Sequence, residues 1–290
     1  MKSGKFVFCV LAPIFLFIFV FSLLPLVYGL GISFLKYHPL SSNNPFVGLA
    51  NYAKLSSDRI FPLALSNTLK FVFITVVLNI TITLIIARLI TTLRSGKLRG
   101  FFRMIFFIPC VASLAAVSQV WGGPIYNTRY GLLNIIRGMF GADPINVLGS
   151  ASTVITALIV FTLWADFGYN VILFSAGIES IPSTYDEAAI IDGAGPLQRF
   201  IHITIPLMQR TFVFVTMMTL ISHFGMFVQF WVLANAARNN APMVLTAYVY
   251  KLGFVNKDMG YASAVAFVLF GMIMLVTLLQ RRFTKVDWGY

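Results

Sequence analysis

Glu187-Ala188-Ala189-Ile190-Ile191-Asp192-Gly193-Ala194-Gly195-Pro196, followed by Phe200, Ile203 and Pro206, lies between two long apolar segments. A chain this apolar has little reason to keep a polar, glycine-broken, twice-kinked connection unless something docks there. Ser183 stands three residues before Asp186, with Glu187 next, and predicts a capped helix start with acids in its first turn. The helix is expected from about Thr184 to Asp192, with Ala188 and Ala189 small enough for another surface to approach closely. Gly193 and Gly195 are expected to end it in a sharp reversal. Pro196 suits the first turn of a second short helix, whose Phe200 and Ile203 are expected to pack back onto the first. Pro206 begins the next apolar segment. The product is a rigid helix–turn–helix knob.

The solvent of this chain is lipid. It is 59% hydrophobic and 10% charged, with mean hydropathy +0.87, where a soluble domain carries about a quarter charged residues. The net charge of +12 does not point to nucleic acid, because the basic residues cluster at the ends of apolar segments. Cys9 and Cys110 sit inside apolar stretches and read as small buried hydrophobes, with no disulfide, metal or redox role.

Six stretches are long enough to cross a hydrocarbon core of ~30 Å, which takes about 20 helical residues. They run from Phe6 to Leu35 and over roughly 64–90, 104–123, 147–178, 206–236 and 259–280. The first is too long for a signal-peptide core and reads as a retained anchor. Pro13, Pro25 and Pro109 fall inside these helices, where membrane proteins tolerate kinks. Lys2 and Lys5 precede the first span, Arg94, Lys97, Arg99 and Arg103 crowd the second connection, and Arg281, Arg282 and Lys285 follow the last. Positive-inside and an even number of spans put both termini, and the Glu187 connection, in the cytoplasm. The expected architecture is all-α and polytopic, with six transmembrane helices in one domain spanning 1–290. The longer external connections cover roughly 36–63, 124–146 and 237–258.

The Glu187 stretch resembles the cytoplasmic EAA loop of binding-protein-dependent ABC importer permeases. Glu187, Ala188, Ala189, Gly193, Ile203 and Pro206 match it, with Ile205 where Leu is usual. The wording Ile191-Asp192-Gly193-Ala194 is most similar to the carbohydrate-uptake branch. Phe46-Val47-Gly48-Leu49-Ala50-Asn51-Tyr52, Asn67-Thr68-Leu69, Ile181-Pro182, Tyr248-Val249-Tyr250 and Gly260-Tyr261-Ala262-Ser263-Ala264 resemble further family segments, in the family's order. The resemblance implies a type I ABC importer permease fold, with the coupling loop at about 179–206. It also implies coupling roles for Glu187, Ala188, Ala189, Asp192, Gly193, Ala194 and Pro206.

Family members carry no ATPase of their own, and this chain agrees. Ser95-Gly96-Lys97-Leu98 lacks the upstream glycine and the hydroxyl of a phosphate loop. The resemblance implies a second homologous permease as heterodimer partner, two ATPase subunits that bind ATP and Mg, and an extracytoplasmic solute-binding protein. This chain itself is expected to hold no cofactor and no metal. It is expected in a prokaryotic inner or plasma membrane. ATP and the loaded binding protein would stabilise one bundle conformation and ADP the other.

Asp166 is the one acid inside an apolar span, and an intramembrane charge faces a cavity or a partner. Asp166, Tyr169 and Asn170 are candidates for the solute path; a structural bond to another helix is the alternative. His223 and Gln229 are further candidates, though at helical spacing they do not share one tight face. A lone His in a membrane helix is more often an interhelical bond. Asn79-Ile80-Thr81 matches a glycosylation sequon but lies inside a span. The family's usual Asp in the fifth span is replaced near Val228, and its Gly-Gly-Pro turn by Asn235–Pro242, where Arg238 is a candidate for selecting an acidic or phosphorylated sugar, with a solvated loop Arg as the commoner alternative. The leading reading is a sugar importer subunit. Alternatives are the same machinery carrying glycerol phosphate or a polyamine, an ion-coupled secondary carrier, or a receptor or scaffold.

Overall fold

The computed structural model describes residues 3–234 and 242–283. Among them helix is the only extended regular structure, with a single antiparallel bridge between Leu35 and Phe46. Five helices or helix pairs are long and apolar enough to cross a membrane: Phe6–Ser33, Ile60–Thr92, Val154–Glu179, Gln209–Leu233 and Met259–Arg282. A sixth candidate is a pair, α5 (Gly96–Val111) and α6 (Leu114–Val120, continued by a π-type turn to Ile125), bent by 89°.

That bend is far sharper than the kink within one continuous third span that Pro109 suggests in the sequence. Pro109 has no N–H to give the turn before it and its ring crowds that turn's carbonyl. The helix ends two residues later, and Ala112 is extended. The helix also starts earlier than expected, at Gly96, where the Ser95 hydroxyl accepts the Leu98 N–H. Arg99 and Arg103 are therefore helical residues rather than part of a loop. After α7 (Leu132–Met139) the fourth span starts at Val154 rather than near Val147, which lies in a non-helical lead-in.

The chain forms two compact units, Met1–Pro62 with Leu245–Met272, and Leu63–Val244 with Ile273–Tyr290. In the first, α1 (Ser3–Ile18) and α2 (Leu24–Ser33) are joined by a π-type turn and expose almost every apolar side chain. A helix apolar all round and uncovered by its own chain takes lipid or another subunit as its neighbour. Cys9 lies exposed there, not buried, for the same reason.

The segment that follows α2 is held by polar side chains. On α3 (Ala50–Ser57), Asn51 Nδ2 donates to the carbonyls of Ser33 (2.8 Å) and Leu35 (2.9 Å), closing the end of α2. Tyr52 and Ser33 share a hydroxyl bond of 2.8 Å. Asp58 then caps α4 (Ile60–Thr92), accepting the N–H groups of Ile60 (2.7 Å) and Phe61 (3.2 Å) through Oδ1. Its Oδ2 accepts the hydroxyls of Tyr248, on α14 (Leu245–Tyr250), and of Tyr261, on α15 (Met259–Phe283), the latter at 2.5 Å.

In the second unit α8 (Val154–Glu179) is the most enclosed helix, with Leu158, Phe161, Val171 and Phe174 fully buried. Gly168 lets α8 close on α5: a Cβ there would lie 2.0 Å from the Phe106 carbonyl oxygen. Close approach at small residues is how membrane helices gain packing without a hydrophobic drive. At its C-terminal end Glu179 receives Arg99 (2.9 Å) and Arg103 (2.5 Å) from α5.

Burial pushes the Asp58 carboxyl up, but the two tyrosine hydroxyls and two backbone N–H groups outweigh it and hold it below the usual aspartate range. A depressed native value means that this contribution is full above the unfolded value and lost as pH falls through the native one. Asp58→Ala should destabilise the folded chain by about 2–4 kcal/mol, from the lost cap and the stranded hydroxyls. Its thermal midpoint should fall less than the wild type's on acidification below about pH 4. Midpoints measured from pH 3 to 7 check both.

Candidate functional site

The Glu187 connection folds into two helices with a defined joint. α9 (Ser183–Ile191) begins after Pro182, and Ser183 is its first residue rather than its cap, since no side chain caps this end. Asp186 turns instead to Arg199 of α10 (Pro196–Arg199), with Nη1 and Oδ2 2.8 Å apart. This ion pair joins the two helices where packing of Phe200 and Ile203 had been expected. Phe200 is half-buried near the Arg88 guanidinium, which lies 5.8 Å from its ring centre. Ile203 is half-buried along a shallow groove shared with Asp192, Gly193 and Ala194.

The reversal is a Schellman end. Gly193 N–H donates to the Ile190 carbonyl (3.0 Å) and Ala194 N–H to the Ala189 carbonyl (2.9 Å). That geometry places Gly193 at φ 78°, where a side chain is strained. Gly195 has φ −69°, which any residue adopts, so its glycine is not required by the turn. Its N–H donates to Gln198 Oε1 (2.9 Å), capping α10. Pro206 follows a π-type turn, within α11 (Ile205–Leu207), and is exposed.

Ala189 is buried under the knob, whereas Glu187, Ala188, Asp192 and Gly193 are exposed. Ala194 is half-buried. Beside them Ile191 is 86% exposed and Leu197 69% exposed, with Tyr185 and Ile190 also open. An apolar patch on a polar protrusion marks an interaction surface.

The intramembrane candidates divide into three groups. Asn170 is 4% exposed. Its Nδ2 donates to Asn79 Oδ1 on α4 (2.7 Å) and to Thr219 Oγ1 on α12 (Gln209–Phe224; 2.9 Å). It ties three helices and is structural. The Asn79 sequon is thereby explained as a core bond. Tyr169 is half exposed and belongs neither to the Asn170 bonds nor to the lining of the cavity described next. Asp166 and Gln229, on α13 (Val228–Ala234), come together with Thr162, Cys110 and Met226 around a cavity of about 170 Å³.

His223 stands behind Asp166. Its Nδ1 lies 2.8 Å from the Thr219 carbonyl and so carries a proton, while Nε2 is 3.9 Å from Asp166 Oδ2. The helix breaks over Gly225–Phe227, which is why His223 and Gln229 serve different surroundings. Gln229 is 1% exposed; its Nε2 reaches Thr162 Oγ1 at 3.5 Å, and its Oε1 has no partner among the described residues. Arg238 and the replaced glycine turn lie outside the described residues. Among those described, no cluster of three or more metal-ligating side chains occurs.

Residues 79–285 match the family of binding-protein-dependent transport system inner membrane components. The chain belongs to this family. It is 33% identical over 286 residues, 98% of this chain and 97% of the relative, to the probable ABC transporter permease protein YurN of Bacillus subtilis (strain 168). It is 31% identical to the arabinooligosaccharides transport system permease protein AraP of the same organism, covering 96% of this chain and 88% of the relative. Its fold is also that of a chain in the crystal structure of a bacterial alginate ABC transporter in complex with an alginate pentasaccharide-bound periplasmic protein. That match has a TM-score of 0.87 and 21% identity, and covers 98% and 97% of the two chains.

The permease is thus a multi-pass membrane protein, and its EAA segment is the knob described above. Sequence reasoning missed Asn79, Thr162 and Thr219 as partners of the path candidates, and Glu179 as the clasp on α5. Polar residues inside apolar spans were the available signal for the first three. Asn170→Leu should strand Thr219 and Asn79 and cost about 1–3 kcal/mol of stability. Solute affinity of the surviving protein should be unchanged; a denaturation curve paired with solute binding to the assembled transporter separates the two effects.

Proposed function

We propose that this chain forms half of the translocation pathway of an ATP-driven importer for a sugar or oligosaccharide. It works without an ATPase site of its own. A second permease completes the pathway, two ATPase subunits bind ATP and Mg in the cytoplasm, and an external solute-binding protein delivers the solute. The chain acts as a single transmembrane domain, with both termini and the knob on the cytoplasmic side.

The observation that carries this reading is the knob: a helix end locked by Gly193, with exposed Ile191 and Leu197 beside Glu187, in a member of this family. Glu187, Ala188 and Asp192 face outward and supply the contact; Gly193, Ala194 and the buried Ala189 hold its shape. Pro206 starts the way back into the bundle. The knob seats in a cleft of the ATPase, and closure of the ATPase dimer on ATP tips the bundle toward the outside.

The solute reading rests on the small cavity. Asp166 and the free Gln229 Oε1 accept hydrogen bonds, and no Lys or Arg is among its lining residues. Such a lining suits hydroxyl donors of a neutral sugar and disfavours glycerol phosphate; a polyamine is the second reading, because ammonium groups also donate. The Asp166–His223 pair supplies ionisable neighbours of the kind an ion-coupled carrier uses, but family membership favours the binding-protein-dependent route.

Gly193→Val forces a β-branched residue to a positive φ. The variant should reach the membrane and assemble, yet lose solute-stimulated ATPase in proteoliposomes. Stimulation equal to the wild type would remove the coupling role of the knob.

A further inference from the structure

The external connection of the first unit contains a groove of about 310 Å³ that none of the roles above uses. Lys36, Lys54, Lys257 and Asp258 line it, with the neutral polar Tyr37, His38 and Asn51 and the apolar Val47 and Ala50. Its walls are fixed by backbone bonds: Lys36 N–H to Pro45 O (2.9 Å), Val47 N–H to Phe34 O (2.8 Å) and Gly260 N–H to Tyr37 O (3.2 Å). Lys54 is spent on Asp258 at 3.0 Å and lies over the Tyr261 ring at 4.2 Å. The Lys36 and Lys257 ammonium groups have no ion pair among the described residues and stand exposed.

Lys257 has φ 59°, a left-handed conformation that favours glycine. A lysine held there, in a turn fixed by the Asp258 N–H bond to Leu252 O (2.9 Å), points to use of its charge. The three external connections together carry eight Lys and Arg but only three Asp and no Glu. Retention of positive charge in the cytoplasm does not produce that excess. Phe46 (75% exposed) and Leu49 (68% exposed) belong to the same connection. Cations beside open aromatic and aliphatic side chains make a protein-docking surface.

We propose that this groove receives an acidic side chain from the solute-binding protein, with Lys36 and Lys257 as the cations that meet it. The inference rests on the function proposed above and adds where, and by what charge, the delivering protein is held.

The test uses the assembled transporter in neutral-lipid proteoliposomes, titrated with the solute-loaded binding protein that stimulates the wild-type ATPase. Lys36→Glu and Lys257→Glu should each raise the half-saturating concentration of binding protein about tenfold, with ATPase retained at saturation. The difference should shrink at high salt. Lys257→Gly relieves the backbone while deleting the charge, so it should fold at least as well and still weaken docking. Lys257→Arg should restore it. Unchanged half-saturation in Lys257→Gly and Lys36→Ala overturns the inference alone, whereas a wild type that no binding protein stimulates removes the proposed function with it. A fall in the saturated rate that tracks solute charge overturns it in favour of a solute contact. An effect confined to vesicles of anionic lipid overturns it in favour of a headgroup.

Discussion

Hydrocarbon offers no water, so each polar group inside it must find a partner in the protein. Asn170 shows how the second unit meets that constraint. One amide donates to two helices, Asn79 on α4 and Thr219 on α12, while the Thr219 hydroxyl donates in turn to the Val215 carbonyl at 2.7 Å. Such bonds are individually modest, on the order of 1 kcal/mol. Their value is directional: they fix the rotation of three apolar helices that dispersion alone leaves free to turn. The position of Asp166, one turn earlier on α8, and of the adjoining cavity depends on that fixed rotation.

The same helix leads to the knob. Only Ser180–Pro182 separate the end of α8 from α9. At that end Glu179 holds Arg99 and Arg103, while Gly168 brings the backbones of α5 and α8 together about three turns earlier. In the proposed cycle a push on α9 is therefore delivered to α8 and α5 as a pair. The bent α5–α6 element borders the cavity through Pro109, Cys110 and Leu114. Force entering at the knob thus has a short, bonded route to the residues proposed to meet the solute.

Much of this was legible in the sequence because it depends on local chemistry. Gly193 announced the helix end, since few other residues adopt its φ; Pro196 announced the first turn of α10; and apolar length announced the spans. The Phe46–Tyr52 segment, quoted only as a family likeness, turns out to exist for Asn51, which closes α2. What escaped depends on pairing across distance in the chain. Asp186 and Arg199 look like separate surface charges until the turn brings them together. Asn79 reads as an incidental sequon until Asn170 faces it, and Pro109 gave notice of a kink without its size. Asp166 and Gln229 were both candidates, yet only the break over Gly225–Phe227 puts them in one cavity while His223 stays behind it.

The central claim is that a bundle with no fuel of its own is driven at the α9–α10 knob. Crosslinking from Ile191→Cys, in a chain with Cys9 and Cys110 replaced, measures this most directly in the assembled transporter. The account predicts a crosslink to the ATPase subunit whose yield changes between the ATP-bound and nucleotide-free states. Crosslinks to lipid alone, or labelling of Ile191→Cys by an impermeant reagent from the external side, would contradict it.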